Sequence, residues 1–301
     1  MFTQSVFWLW FIGLVYLVVG LFTIRRELVT ARGLDRWIEL GPVFVAAPLA
    51  VFAAEHFVAA RSMQQMVPGW LPAHLFWVYF VACAWLAGAA SLVVMKCVRL
   101  SATLLGVMLL LIVLTLHLPN AIAHPASLLP WTFVLRETAF AGGVWALAGS
   151  QSRNSQAGKW NWMILIGRFS LAIAVIYFGL EQVLRPEFTP GVPDSKLTPA
   201  WVPLHALWGY PVGAFLLVAG AALLINVRPR AAATWIGLLM TLLTVFLFLP
   251  ILAITRDPSQ MTDAINFVAD TLMFGGTALL LARALPATSS NGLPGREGAS
   301  K

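Results

Sequence analysis

The chain alternates long apolar runs with short polar connectors, and each run is long enough to form a membrane-crossing helix. Nine such spans are expected, at about 5–22, 41–60, 74–95, 100–118, 131–149, 162–184, 203–226, 231–254 and 266–284. The runs are continuous, with no period-two alternation, which excludes a barrel because a bilayer admits only helices or closed barrels. The expected fold class is therefore an all-α membrane protein of about nine transmembrane helices. Composition agrees: 60% of the 301 residues are hydrophobic and 10% are charged, against about 25% charged in soluble domains.

Charge sits in the connectors, and it sits unevenly. Of the 19 basic residues, five (Arg61, Arg136, Arg185, Lys196 and Arg256) fall on one side of the expected bilayer and the other fourteen on the opposite side. The positive-inside rule then directs the amino terminus outward and the carboxyl terminus to the cytoplasm, as in a bacterial inner-membrane protein. The net charge of +7 thus reads as topology. No basic motif or aromatic platform accompanies it, so nucleic acid is not an expected partner; the lipid bilayer is. The opening MFTQS lacks a basic n-region and no small-residue cleavage site follows its apolar run, which makes that run a retained first span. The tail from 287 is rich in Gly and Ser and is expected to be disordered.

The chain also repeats itself. Gly41, Phe52 and Glu55 recur 126 positions later as Gly167, Phe178 and Glu181. Trp70, Pro72, His74 and Trp77 recur 131 positions later as Trp201, Pro203, His205 and Trp208, as do Gly106 and Pro119 in Gly237 and Pro250. Glu137-Thr138 and Gly142-Gly143 return after 133 as Asp270-Thr271 and Gly275-Gly276. This is the signature of a duplicated four-span unit. Four spans return the chain to its starting side, so the two units are parallel, which disfavours an inverted-repeat transporter. The expected organisation is an N-terminal span and basic loop (1–40), a first unit (41–150), a linker (151–165), a second unit (166–286) and the tail.

With that topology the embedded polar residues collect at the outer face. Glu55 and His56 end the second span, His74 and His205 open the third and seventh, and His117 lies near the outer end of the fourth. Arg136 and Glu137 enter the fifth, while Glu181 and Asp270 lie towards the outer ends of the sixth and ninth. Charges at bilayer depth are costly and therefore mark functional candidates. Each also has a plainer reading: Arg136 and Glu137 as a local ion pair, His74 and His205 as interfacial residues, Glu181 and Asp270 as hydrated acids. Trp70, Trp77, Trp201 and Trp208 read as an outer aromatic belt. Histidines on one side invite a haem or a metal, but no HxxxH or HExxH spacing appears, so neither is assigned. The two cysteines lie fourteen residues apart, about 21 Å along a helix, and cannot pair within it. Cys83 is expected to be a small packing residue and Cys97 a cytoplasmic-side thiol.

The stretch EHFVAARSMQQMVPGWLPAHLFWVYF, followed by LHLPNAI, resembles the DoxX-like family of four-span bacterial membrane proteins. The likeness rests on His56-Phe57, on Val67 to Pro72 and on Pro119-Asn120; GRFSLAIAVIYFGLEQ resembles the opening of another such unit. Two positions depart from the pattern: Trp85 stands where many relatives carry an acid, and Gln182 replaces the histidine. What the resemblance implies is a membrane subunit serving redox chemistry, with quinone as the candidate small molecule and membrane redox subunits as candidate partners. In that reading Glu55, His56, His117 and Glu137 exchange protons, and His74, Arg136, Glu181, His205 and Asp270 hold the ligand. A small-solute carrier or channel and a non-catalytic scaffold for a redox complex are the alternatives.

Overall fold

A computed structural model describes residues 4–151, 162–191, 196–205 and 207–286. Within them the chain is helical apart from a single antiparallel bridge between Phe188 and Leu197. In chain order the helices are α1 (Gln4–Thr23), α2 (Arg25–Thr30), α3 (Asp35–Glu39), α4 (Gly41–Val58), α5 (Ala60–Met63), α6 (His74–Val94), α7 (Val98–Ile112) and α8 (Leu118–Ala123). Then come α9 (Leu128–Ser150), α10 (Trp162–Leu184), α11 (Gly209–Leu224), α12 (Pro229–Leu243), α13 (Leu249–Ile254) and α14 (Pro258–Ala284).

Four of these join end to end into two longer rods. A π turn at Val113–His117 links α7 to α8, and another at Thr244–Phe248 links α12 to α13. Each lies immediately before a segment whose second residue is proline, Pro119 or Pro250. Proline offers no N–H to the turn behind it and its ring crowds that turn, so the backbone widens there and continues. By length and composition, seven helices among the described residues are able to cross a membrane: Val6–Thr23, Asp35–Val58, His74–Val94, Val98–Ala123, Trp162–Leu184, Pro229–Ile254 and Ser259–Ala284. The two other expected spans are weaker. α11 is short, with 16 residues, and α9 carries Arg136 and Glu137 amid many small residues. Those small residues suit its position, packed against α7, α10 and α14 at once.

The helices close a ring. α4 packs on α6, α6 on α7 and α7 on α9; α10 packs on α11, α11 on α12 and α12 on α14. Between these sets α9 packs on α10, α14 on α4, and α9 crosses α14 in the middle, while α1 lies outside against α4. The crossings are tight because glycines line them. A Cβ on Gly143 would strike Thr277, and one on Gly276 would lie 2.8 Å from the Phe44 carbonyl carbon. Fully buried Leu49, Leu147, Leu171, Leu223 and Leu280 fill the interior toward the basic end.

That basic end is stapled by α3. Asp35 accepts from Arg230 at 2.9 Å and Glu39 from Arg283 at 2.8 Å, while Arg168 donates to Asn226 nearby in the second set. At the opposite end Asp257 caps α14, accepting from the Ser259 hydroxyl and backbone N–H. These hydrogen bonds hold its carboxyl below the usual range.

Three expectations need correcting. α14 begins at Pro258 rather than 266, because the Asp257 cap and the following proline start the helix two turns early. α11 begins at Gly209 rather than 203, since the chain winds through turns at 201–205 and 207–208 first; His205 is exposed there and opens no helix. Cys83 is exposed on the outer surface of α6 and packs into no core.

One regularity concerns the backbone. Six non-glycine residues among those described have positive φ, and they form three pairs 131 positions apart. Ala73 and Leu204 both have φ of 55°, Met95 and Asn226 have 52° and 62°, and Cys97 and Arg228 have 54° and 44°. The two π turns are separated by the same 131. So are two indole hydrogen bonds, from Trp77 to the Pro72 carbonyl and from Trp208 to the Pro203 carbonyl.

Candidate functional site

α4 runs from the basic end to the polar end, placing Glu55 and His56 about 21 Å from Gly41. In its last turn His56 Nδ1 lies 2.8 Å from the Phe52 carbonyl oxygen. A carbonyl only accepts, so Nδ1 carries the proton and donates; in the neutral tautomer Nε2 is then the acceptor nitrogen. The ring meets Trp85 of α6 edge to face at 4.6 Å. One residue earlier, Glu55 Oε1 accepts from Asn266 Nδ2 of α14 at 3.2 Å.

The π turn aims a second histidine inward. His117 Nε2 lies 2.9 Å from Glu137 Oε1, each side chain about one-sixth exposed. The imidazole stacks on Phe133 of α9 at 5.5 Å, and the Arg136 guanidinium stands 5.0 Å from the same ring. Arg136 itself turns across the molecule to Asp270 of α14, at 2.8 Å. The plainer reading of Arg136 and Glu137 as a local ion pair is thus replaced: adjacent helix positions point in different directions. Each finds a partner on another helix.

The structure therefore brings Glu55, His56, His117, Glu137, Arg136 and Asp270 into one layer around the α9–α14 crossing. The carboxylates feel one another there, Asp270 interacting electrostatically with both Glu55 and Glu137, and Glu137 with His56. Glu181 is buried near the C-terminal end of α10, and its Oε1 has no hydrogen-bond partner among the described residues. Beside it Gln182 donates to the Phe188 carbonyl at 2.8 Å, tying α10 to the following loop. Two candidates stay outside. His74 begins α6 half-buried with no side-chain hydrogen bond among the described residues, and His205 is solvent-exposed.

Several buried polar atoms in this layer have spare capacity. Besides Glu181 Oε1 they are Trp85 Nε1, Arg136 Nε and Asn266 Oδ1, each unpartnered among the described residues. Buried polar groups are nearly always satisfied, so these atoms have room for a water or another partner, as do Arg168 Nε and the hydroxyls of Thr189, Thr198 and Thr277 elsewhere. Among the described residues no three His, Cys, Asp or Glu side chains converge as metal ligands. Asn266 and Phe133 were missed from sequence. Asn266 lies one helical turn before Asp270, a spacing that puts both on one face of α14.

Comparison with known proteins gives one family match: a domain of unknown function (DUF8561) covers residues 45–136. No curated protein and no solved structure matches the chain.

Proposed function

We propose that this is a nine-span membrane protein made of an N-terminal span and two parallel, DoxX-like four-helix units. It binds a small hydrogen-bonding molecule of the quinone class in outward-facing polar chambers and exchanges protons with it. The repeat reading is supported by the three left-handed pairs and the paired π turns. A second support is the pairing pattern, in which the first helix of each unit packs on the last helix of the other. Outward orientation rests on the excess of basic residues at the opposite end.

The observation that carries the function is the unspent hydrogen-bonding capacity beside paired, buried charges. His56, bonded through Nδ1 to the Phe52 carbonyl, and His117, held by Glu137, bring two imidazoles into the layer, and imidazole is the side chain suited to proton transfer. A carrier fits less well, since the layer beneath the cluster is closed by fully buried leucines such as Leu49, Leu147 and Leu280. A charged solute would find no partner there.

The test is direct. Protein purified in mild detergent is expected to retain a ring-bearing small molecule in its lipid extract, seen by mass spectrometry. Glu137→Gln removes a charged partner worth about 1.5–3 kcal/mol, so retention should fall at least tenfold. An extract from wild type with no such molecule, and no binding of added quinone, would overturn the reading.

A further inference from the structure

The two units differ at a position that controls space. At the 131-residue register Trp85 of α6 corresponds to Leu216 of α11. The Trp85 indole fills the interior of the first unit, 5.9 Å from the Phe52 ring and 4.6 Å from His56. Leucine is too small to do the same. In the second unit a cavity of about 40 Å³ lies beside Leu216, walled by Phe178, Met240 and Phe274. Its polar end is formed by Asp270, Thr271 and Arg136, the last reaching over from the first unit. Pro190 and Gly191, from the loop after α10, also line it.

We propose that this cavity is a binding site for a neutral, ring-bearing molecule with a carbonyl oxygen, and that proton exchange is confined to the first unit. The inference rests on the reading above that the outer cluster serves a small molecule; it adds where the ring sits and what it contacts. Neutrality follows from the polar end, where Arg136 and Asp270 cancel each other's charge at 2.8 Å. An added anion or cation would have to break that pair. A carbonyl oxygen suits the site because Arg136, which lines the cavity, has a buried Nε donor without an acceptor among the described residues. A ring is favoured because two phenylalanines and a methionine form the walls, and such side chains hold aromatic planes by stacking and sulfur contact.

A volume of about 40 Å³ suits the oxygen-bearing edge of a ring. The second unit offers little proton chemistry. Gln182 stands at the place of His56, and Phe248, fully buried, at that of His117. Carboxyl groups are present, but no imidazole lines the cavity.

The test uses the full chain in detergent and a radiolabelled benzoquinone with every ring position substituted and a short alkyl tail, so that it cannot alkylate exposed Cys83 or Cys97. Leu216→Trp places in the second unit the side chain that fills the first, and should weaken binding at least tenfold. Cys83→Ala, on the exposed face of α6, should leave binding within about twofold. If Leu216→Trp fails to fold, Leu216→Phe serves instead, with a smaller loss expected. Binding that is insensitive to Leu216 but lost on changing Trp85 would put the ring in the first unit, overturning this inference while leaving the broader reading intact. No binding to wild-type protein would overturn both.

Discussion

Arg136→Leu is expected to destabilise the protein by about 3–5 kcal/mol, the cost of leaving one partner of a buried ion pair alone. The pair is 15% and 16% exposed and joins α9 to α14 at the crossing between the two helical sets. Without the guanidinium, Asp270 faces Glu137 and Glu55 with no counter-charge, and three carboxylates share one layer. The double variant Arg136→Leu/Asp270→Leu should recover most of the lost stability, because two apolar groups satisfy one another in such a place. Thermal unfolding of wild type, both single variants and the double variant in detergent provides the cycle. If the double variant is as unstable as the sum of the singles, the bridge does not hold the crossing together. Ligand binding should remain absent in the double variant even where stability returns.

Gly167→Val should be comparably severe for a steric reason. A Cβ at Gly167 would press into the Gly142 carbonyl oxygen and lie 3.0 Å from the Ala146 Cβ and 3.1 Å from the Gly142 carbonyl carbon. Backbone cannot rotate aside as a side chain does, so α9 and α10 must separate. Overpacking of this kind costs about 1–3 kcal/mol for small intrusions and more for rigid ones. The expected result is a large loss of folded protein on size-exclusion chromatography. Gly69→Ala is the control, since nothing lies within 4 Å of its added Cβ. Normal yield from Gly167→Val would mean that the two helices are looser than this packing.

Much of the fold was legible because apolar runs of membrane length have only one way to satisfy their backbone. Boundaries failed where local chemistry overrode hydropathy. The Asp257 cap extends α14 outward through a polar stretch, and the turns around His205 delay α11 despite its apolar surroundings. The π turns could not be read from hydropathy, although Pro119 and Pro250 mark their sites, because the widened segments VLTLH and TVFLF look like uninterrupted helix. Cys83 was misplaced because a small residue on an apolar helix can face either lipid or core, and composition alone does not say which.

For the site, sequence supplied the members and the layer but not the partners. Glu55, His56, His117, Glu137, Arg136 and Asp270 meet because α4, the α7–α8 rod, α9 and α14 converge. The pairings His117–Glu137 and Arg136–Asp270 depend on helix rotation, which one sequence does not fix. Asn266 was passed over because it bears no charge, yet it is the residue that holds Glu55. The repeat also concealed a difference. At the 131-residue register Trp85 fills the interior beside His56, whereas Leu216 borders a cavity, a contrast of side-chain volume that the shared glycines and prolines do not reveal.

The most direct test of an outward-facing, proton-exchanging site is a pH measurement on right-side-out membrane vesicles with an impermeant indicator on each side. When the oxidised ring-substituted benzoquinone is reduced in the vesicles by a permeant electron donor that releases no proton on oxidation, each quinone takes up two electrons and two protons, and that proton uptake should register at the external face. It should shrink severalfold in His117→Phe, which copies the second unit's Phe248. A signal at the internal face, or an external signal unchanged in His117→Phe, would contradict the account.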